Sequence, residues 1–137
     1  MPVDVGGEVG CWAVGCAAGL AALEVIEQEG LCARALQVGE RLVAGLRKLQ
    51  AAHPDRIGDI RALGAMVAME LVQDGNADKP DAALAKALCV KALEGGLILL
   101  SCGVRGNVIR ILVPLTIDFA HLDEGLGILA TAFEASL

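Results

Sequence analysis

The sequence predicts an α+β fold: a small sheet of three to four mainly antiparallel strands with helices packed on it. Three observations carry that prediction. Residues 97–102 and 108–113 are apolar runs of strand length on either side of GVRGN, residues 103–107, a short Gly-containing loop of the kind that closes hairpins. Residues 57–63 and 65–72 read as extended, with Gly64 as a bulge or bend between them. Elsewhere apolar residues recur at steps of three and four, the period of a helix with one buried stripe. The predicted order is helix, helix, one long or broken strand, helix, hairpin, helix.

The first helix is predicted over residues 13–29, with Leu20, Leu23 and Ile26 at helical spacing and Gly30 as a stop. Nearly all of its first half is small or apolar, which predicts cover on most sides. Residues 31–52 form the second helix, with the stripe Ala35, Val38, Leu42, Leu46 and Leu49. Gly39 and Gly45 each weaken it by about 1 kcal/mol if exposed, or permit close packing against a neighbour. His53-Pro54 ends it. In the extended segment Leu63, Ala65, Val67, Met69 and Leu71 alternate with Gly64, Met66, Ala68 and Glu70, so the two sets take opposite faces. Residues 74–81, DGNADKPD, read as a polar turn delivering a helix, with Pro80 in its first turn. Leu84, Leu88, Cys89, Ala92 and Leu93 give that helix its stripe, and Gly95-Gly96 end it. After the hairpin, Pro114 closes the second strand and Asp118 is placed to cap a helix striped by Phe119, Leu122, Leu126, Leu129 and Phe133.

Composition narrows the function classes. The chain of 137 residues is 55% hydrophobic but only 2% aromatic, so its core is aliphatic and large enough for one domain. A net charge of -6, with no basic cluster and no aromatic series, argues against a nucleic-acid partner. The five cysteines, Cys11, Cys16, Cys32, Cys89 and Cys102, form no Cys-x-x-Cys, so neither a disulfide framework nor a zinc site is indicated, and free thiols in a reducing cytosol are expected. Residues 9–23 carry no charge but are too short and too rich in Ala, Gly and Cys for a membrane span. Asp4 and Glu8 precede them, which does not suit a signal peptide. A cytoplasmic protein with no membrane partner is expected.

Arg110 is the residue to watch. It interrupts an otherwise apolar strand and shares a face with Val108 and Leu112. Runs that are apolar at every position predict strands covered on both faces. A guanidinium there needs an anion or several acceptors, and its planar fork suits a carboxylate. The remaining polar candidates are weaker. His53 and His121 are isolated and make neither a metal site nor a base. Ser101 and Cys102 have no adjacent His to activate them. Gly103 and Gly106 serve loop geometry, and Trp12, the only Trp, reads as packing or an exposed end residue.

Taken together, IGDIRALGAMVAMELVQDGNADKPDAALA (residues 57–85), GLILLSCGVRGNVIRILVPLTI (96–117) and CAAGLAALEVIEQEGL (16–31) resemble the C-terminal small domain of the class III aminotransferases, pyridoxal-phosphate enzymes of fold type I, and within them the 4-aminobutyrate and 5-aminovalerate branch. The resemblance covers roughly residues 14 to 137. It implies a divergent segment over 1–13 and a small domain over 14–137, with 14–30 the helix that joins it to a large domain. It implies that Arg110, in N-V-I-R-I, binds the carboxylate of the amino or keto acid. Arg61, in I-R-A-L-G, is expected to be structural, paired with a carboxylate or a helix end.

Several departures from the family shape the functional expectation. Transamination needs a Lys that forms an imine with the cofactor, a carboxylate on its pyridine nitrogen, a stacking ring and phosphate donors. The family carries these mostly in the large domain, upstream of the matching stretch, and Lys48, Lys79, Lys86 and Lys91 stand in no Schiff-base motif. The family also has Gly-Gly-Thr-aromatic-Gly-Gly-Asn-Pro before its first helix, where the Thr donates to a cofactor phosphate. Here the aligned residues are Gly6, Gly7, Glu8, Val9, Gly10, Cys11, Trp12 and Ala13, and Glu8 would repel that phosphate. The expectation is a C-terminal piece, from a truncated or frame-disrupted gene product, of an enzyme moving an amino group from 4-aminobutyrate or a similar ω-amino acid to 2-oxoglutarate. By itself it is expected to be inactive, to bind no pyridoxal phosphate and no metal, and to self-associate as a homo-oligomer. The alternative is a stand-alone module that binds small carboxylates or oligomerises without catalysis.

Overall fold

A computed structural model describes residues 12–137, Trp12 by its backbone only. The readings made on Asp4, Gly6, Gly7, Glu8, Cys11 and the Trp12 side chain lie outside the described residues. The described residues hold four helices and five strands: α1 (Trp12–Gln28), α2 (Leu31–Ala52), β1 (Ile57–Leu63), β2 (Met66–Gln73), β3 (Asn76–Pro80), α3 (Ala82–Glu94), β4 (Leu100–Cys102), β5 (Val108–Leu112) and α4 (Phe119–Glu134). They fall into two units, one ending at Arg34 and the other running from Ala35 to Leu137. In the first, every described residue from Ala13 to Gln28 of α1 is exposed, so the expected cover of this helix is not supplied.

In the second unit the sheet runs β1-β2-β5-β4, with β3 on β2, and all pairings are antiparallel. The α+β class holds, with one strand more than expected. The supposed broken strand is a hairpin: Leu63 pairs with Met66 across Gly64-Ala65, and Gly64 sits at φ +55°, as a glycine-first two-residue loop requires. The supposed polar turn is a second hairpin. Gln73 pairs with Asn76 across Asp74-Gly75, both at positive φ. Asp-Gly is the dipeptide that favours this turn, and it was the overlooked signal for β3. Pro80 therefore ends β3 and is not part of α3. Asp81 caps that helix instead, accepting from Leu84 N at 2.9 Å.

The core lies between one face of the sheet and helices α2, α3 and α4. Val67, Met69 and Leu71 of β2 and Ile109 and Ile111 of β5 meet Val38, Leu42 and Leu46 of α2, Leu84 and Leu88 of α3, and Leu122, Leu129 and Phe133 of α4. These are the predicted stripes, except that Leu93 is exposed. Among the described residues the other face of the sheet is left largely open, with apolar side chains exposed on it, which corrects the expectation of strands covered on both sides. Ile98 is 78% exposed and Leu112 64%, and Leu63, Met66 and Leu100 join them. An apolar run marks a strand but not what covers it. Only the second half of the run at 97–102 is strand, since pairing begins at Leu100.

The start of α4 gives a pH-dependent test. His121 N donates to Asp118 Oδ1 at 2.8 Å, and the His121 ring Nδ1 lies 2.6 Å from Asp118 Oδ2. These bonds hold the Asp118 carboxyl below the usual range and raise the imidazole above its own. The His121 contribution to stability is complete below about pH 6.5 and is lost as pH rises through the raised value. That of Asp118 is present above about pH 4 and is lost as pH falls through the lowered value. The pair therefore stabilises most between those limits. In an NMR titration the His121 midpoint is expected above that of a free imidazole. Asp118→Asn, which keeps a cap acceptor, should return it to the ordinary value. An unchanged midpoint would remove the pairing.

Candidate carboxylate site on the open sheet face

The register of the ladder builds the site. Arg61 pairs with Ala68, Ala68 with Arg110, and Arg110 with Leu100, so these four lie in one row and share the open face. Rows on either side add Leu63, Met66 and Leu112, and Asp59, Glu70, Val108 and Cys102. The methyl group of Ala68 keeps the floor between the two arginines low.

The two arginines differ in their partners. Arg61 Nη1 donates to Asp59 Oδ2 and to Glu70 Oε2, each at 2.8 Å. The bond to Arg61 holds the Glu70 carboxyl below the usual range and raises the Arg61 guanidinium. Arg61 is thus the structural arginine the sequence indicated. Arg110 is exposed and forms no ion pair with any described residue. It lines a hollow of about 260 Å³ whose other walls come from residues 97–100 and 111–113. An aliphatic hollow with a guanidinium on its wall can hold a small organic acid by its carboxylate while covering its methylenes.

Other chemistry-bearing groups lie elsewhere. His53 bonds Glu134 at 2.7 Å, and His121 is engaged at the start of α4. Burial raises the Cys89 thiol, so it is not a ready nucleophile. Lys79 is paired with Asp74 and Lys91 with Glu94, while Lys48 and Lys86 are exposed on α2 and α3. Among the described residues no group of three or more His, Cys, Asp or Glu could hold a metal ion, and no helix is long and apolar enough to cross a membrane. A residue the sequence reading passed over is Asn107, buried at 2% exposure at the foot of the strand that carries Arg110. The only hint was its place at the end of the loop.

The fold agrees with what comparison with known proteins finds. The sequence matches the family "Aminotransferase class-III" over residues 3–133, and the chain belongs to that family. The match reaches back across most of the segment before Val14. The chain is 52% identical to the 5-aminovalerate aminotransferase DavT of Pseudomonas aeruginosa, covering 97% of this chain and 31% of that protein. It is 46% identical to the 4-aminobutyrate aminotransferase GabT of Escherichia coli, with the same coverage of each. The chain thus spans about three tenths of the length of the curated relatives it matches. Among solved structures, an aminotransferase of Bacillus anthracis superposes with a TM-score of 0.78 at 33% identity, over 88% of this chain and 28% of that one. A phospholyase from Arthrobacter superposes at 0.77 and 29% identity, over 87% and 28%.

Proposed function

We propose that this chain is the substrate-carboxylate part, residues 14–137, of an aminotransferase that moves an amino group from an ω-amino acid of four or five carbons to 2-oxoglutarate. In this reading Arg110 grips a carboxylate of the substrate. The observation that carries it is the contrast within one row: Arg61 is neutralised by two carboxylates, while Arg110 faces a hollow with no described counter-ion. The names of the relatives support the substrate class.

The class III family uses pyridoxal phosphate, which supplies the electron sink for moving the amino group. The described residues do not fit it. Among the described residues no lysine lies in the rows or the hollow around Arg110, and no set of donors there makes a phosphate cradle. The part proposed for this chain is therefore binding and orientation, and by itself it is expected to catalyse no transamination.

Calorimetric titration with 2-oxoglutarate and glutamate tests the site. Binding is expected to weaken by about tenfold or more in Arg110→Ala, the worth of a charge-assisted pair of bonds. Arg110→Lys keeps the charge but loses the fork, and should fall between. Binding that survives Arg110→Ala would remove the assignment.

A further inference from the structure

Asn107 is one of only two buried polar or charged residues among those described, the other being Asp81. Its side-chain Nδ2 donates to Leu71 O at 2.8 Å and lies 3.4 Å from Glu70 Oε1. Its own carbonyl accepts from Leu71 N at 2.8 Å. The Leu71 carbonyl also accepts from Asp81 N at 3.0 Å. One residue at the foot of β5 is therefore bonded, through backbone and side chain together, to one point on β2.

The sequence of β5 explains the need for such a pin. In a strand that alternates apolar and polar residues, a slipped register exposes the core set, so alternation fixes the pairing. Val108 to Val113 is apolar on both faces apart from Arg110, so hydrophobic matching discriminates poorly between registers two residues apart. In the observed register Arg110 stands opposite Ala68, and Glu70 stands opposite Val108. A slip of two residues in one direction keeps Arg110 on the same face but sets it opposite Glu70. There it would compete with Arg61 for that carboxylate, and Arg110 would be neutralised by the protein itself.

We infer that Asn107 is a positioning residue for carboxylate binding. It locks β5 on β2 in the register that sets Arg110 over Ala68 and leaves Glu70 to Arg61. This inference rests on the proposed role of Arg110 for its functional consequence, but not for the register itself.

Two measurements on the full chain test it separately. Glutarate is the probe, titrated by NMR, and cross-strand NOEs report which residue of β2 faces Arg110. The intact chain is expected to show the Arg110–Ala68 contact and glutarate binding that Arg110→Ala abolishes. Asn107→Ala removes the donor, and Asn107→Asp keeps the shape while turning the donor into an acceptor aimed at the Leu71 carbonyl and Glu70. Both are expected to weaken glutarate binding at least tenfold and to replace the Arg110–Ala68 contact by Arg110–Glu70. Phe133→Leu, a core change on α4, should leave affinity and register alone, which general loosening would not. If the Asn107 variants unfold, Asn107→Ser, which keeps a shorter donor, gives the same two readings. Variants that retain the Ala68 contact and the original affinity would overturn the role of Asn107 while leaving Arg110 in place. Glutarate binding indifferent to Arg110→Ala would overturn the carboxylate site, and the NOEs would still decide the register.

Discussion

Gly39→Ala is expected to lower the stability of the chain by about 3 kcal/mol, although at an exposed helix position the same change gains about 1 kcal/mol. The reason is the contact between α2 and the β1–β2 turn. A Cβ on Gly39 would fall within 2.6 Å of the Gly64 carbonyl carbon and overlap its oxygen. The obstacle is backbone and cannot rotate away. The turn is tight as well: Gly64 sits at φ +55°, and a Cβ there would come against Ala35, one turn before Gly39 on the same face of α2. Relief requires α2 to move off the sheet, which opens space around Val38 and Leu42 in the core. Gly45 makes a useful comparison. A Cβ there meets the Leu126 side chain, whose rotamer can change, so Gly45→Ala should cost much less. Urea unfolding followed by circular dichroism reads both. A Gly39→Ala midpoint equal to or above that of the parent would mean that the helix yields easily at this contact.

Asp81→Ala is expected to cost about 3 kcal/mol, from two losses at one carboxylate. Oδ1 caps α3, worth about 1 kcal/mol. Oδ2 lies 3.3 Å from Arg56 Nη2, and Asp81 is only 5% exposed. The Arg56 guanidinium is mostly buried, and its Nε has no hydrogen-bond partner. Removing the carboxylate leaves that charge without its counter-ion, while its partial exposure lets water recover part of the loss. Asp81→Asn keeps an acceptor for the cap and removes only the charge, so it should cost clearly less. Equal losses for the two variants in thermal unfolding would mean that the cap contributes nothing separate. A loss below about 1 kcal/mol for Asp81→Ala would mean that the Arg56 pair contributes nothing.

Both variants act where two segments distant in sequence meet, and such places divide what could be read early from what could not. The Gly39 alternatives, weakening or close packing, were visible in α2, but only the hairpin turn at Gly64 chose between them. Asp118 was recognisable as a cap because capping is local and needs only the residue and the helix behind it. Asp81 does the same work but is not recognisable from its neighbours, because Pro80 before it suits a first helical turn, and only the pairing of β3 with β2 moves the helix start past it.

By itself the sequence determined the four helices, the stripe that α2, α3 and α4 each turn to the core, the hairpin that carries Arg110, and which residues share its face. These follow from periods of 3.6 and 2, which are properties of neighbouring residues. Only the tertiary structure decided that one face of the sheet is left largely open among the described residues, that β3 pairs with β2, that Arg61 is held by Asp59 and Glu70 while Arg110 is not, and that Asn107 reaches Leu71. Each of these depends on which strand lies beside which and in what register. That choice is made by contacts between residues up to dozens of positions apart, and apolar runs such as β5 carry almost no local record of it.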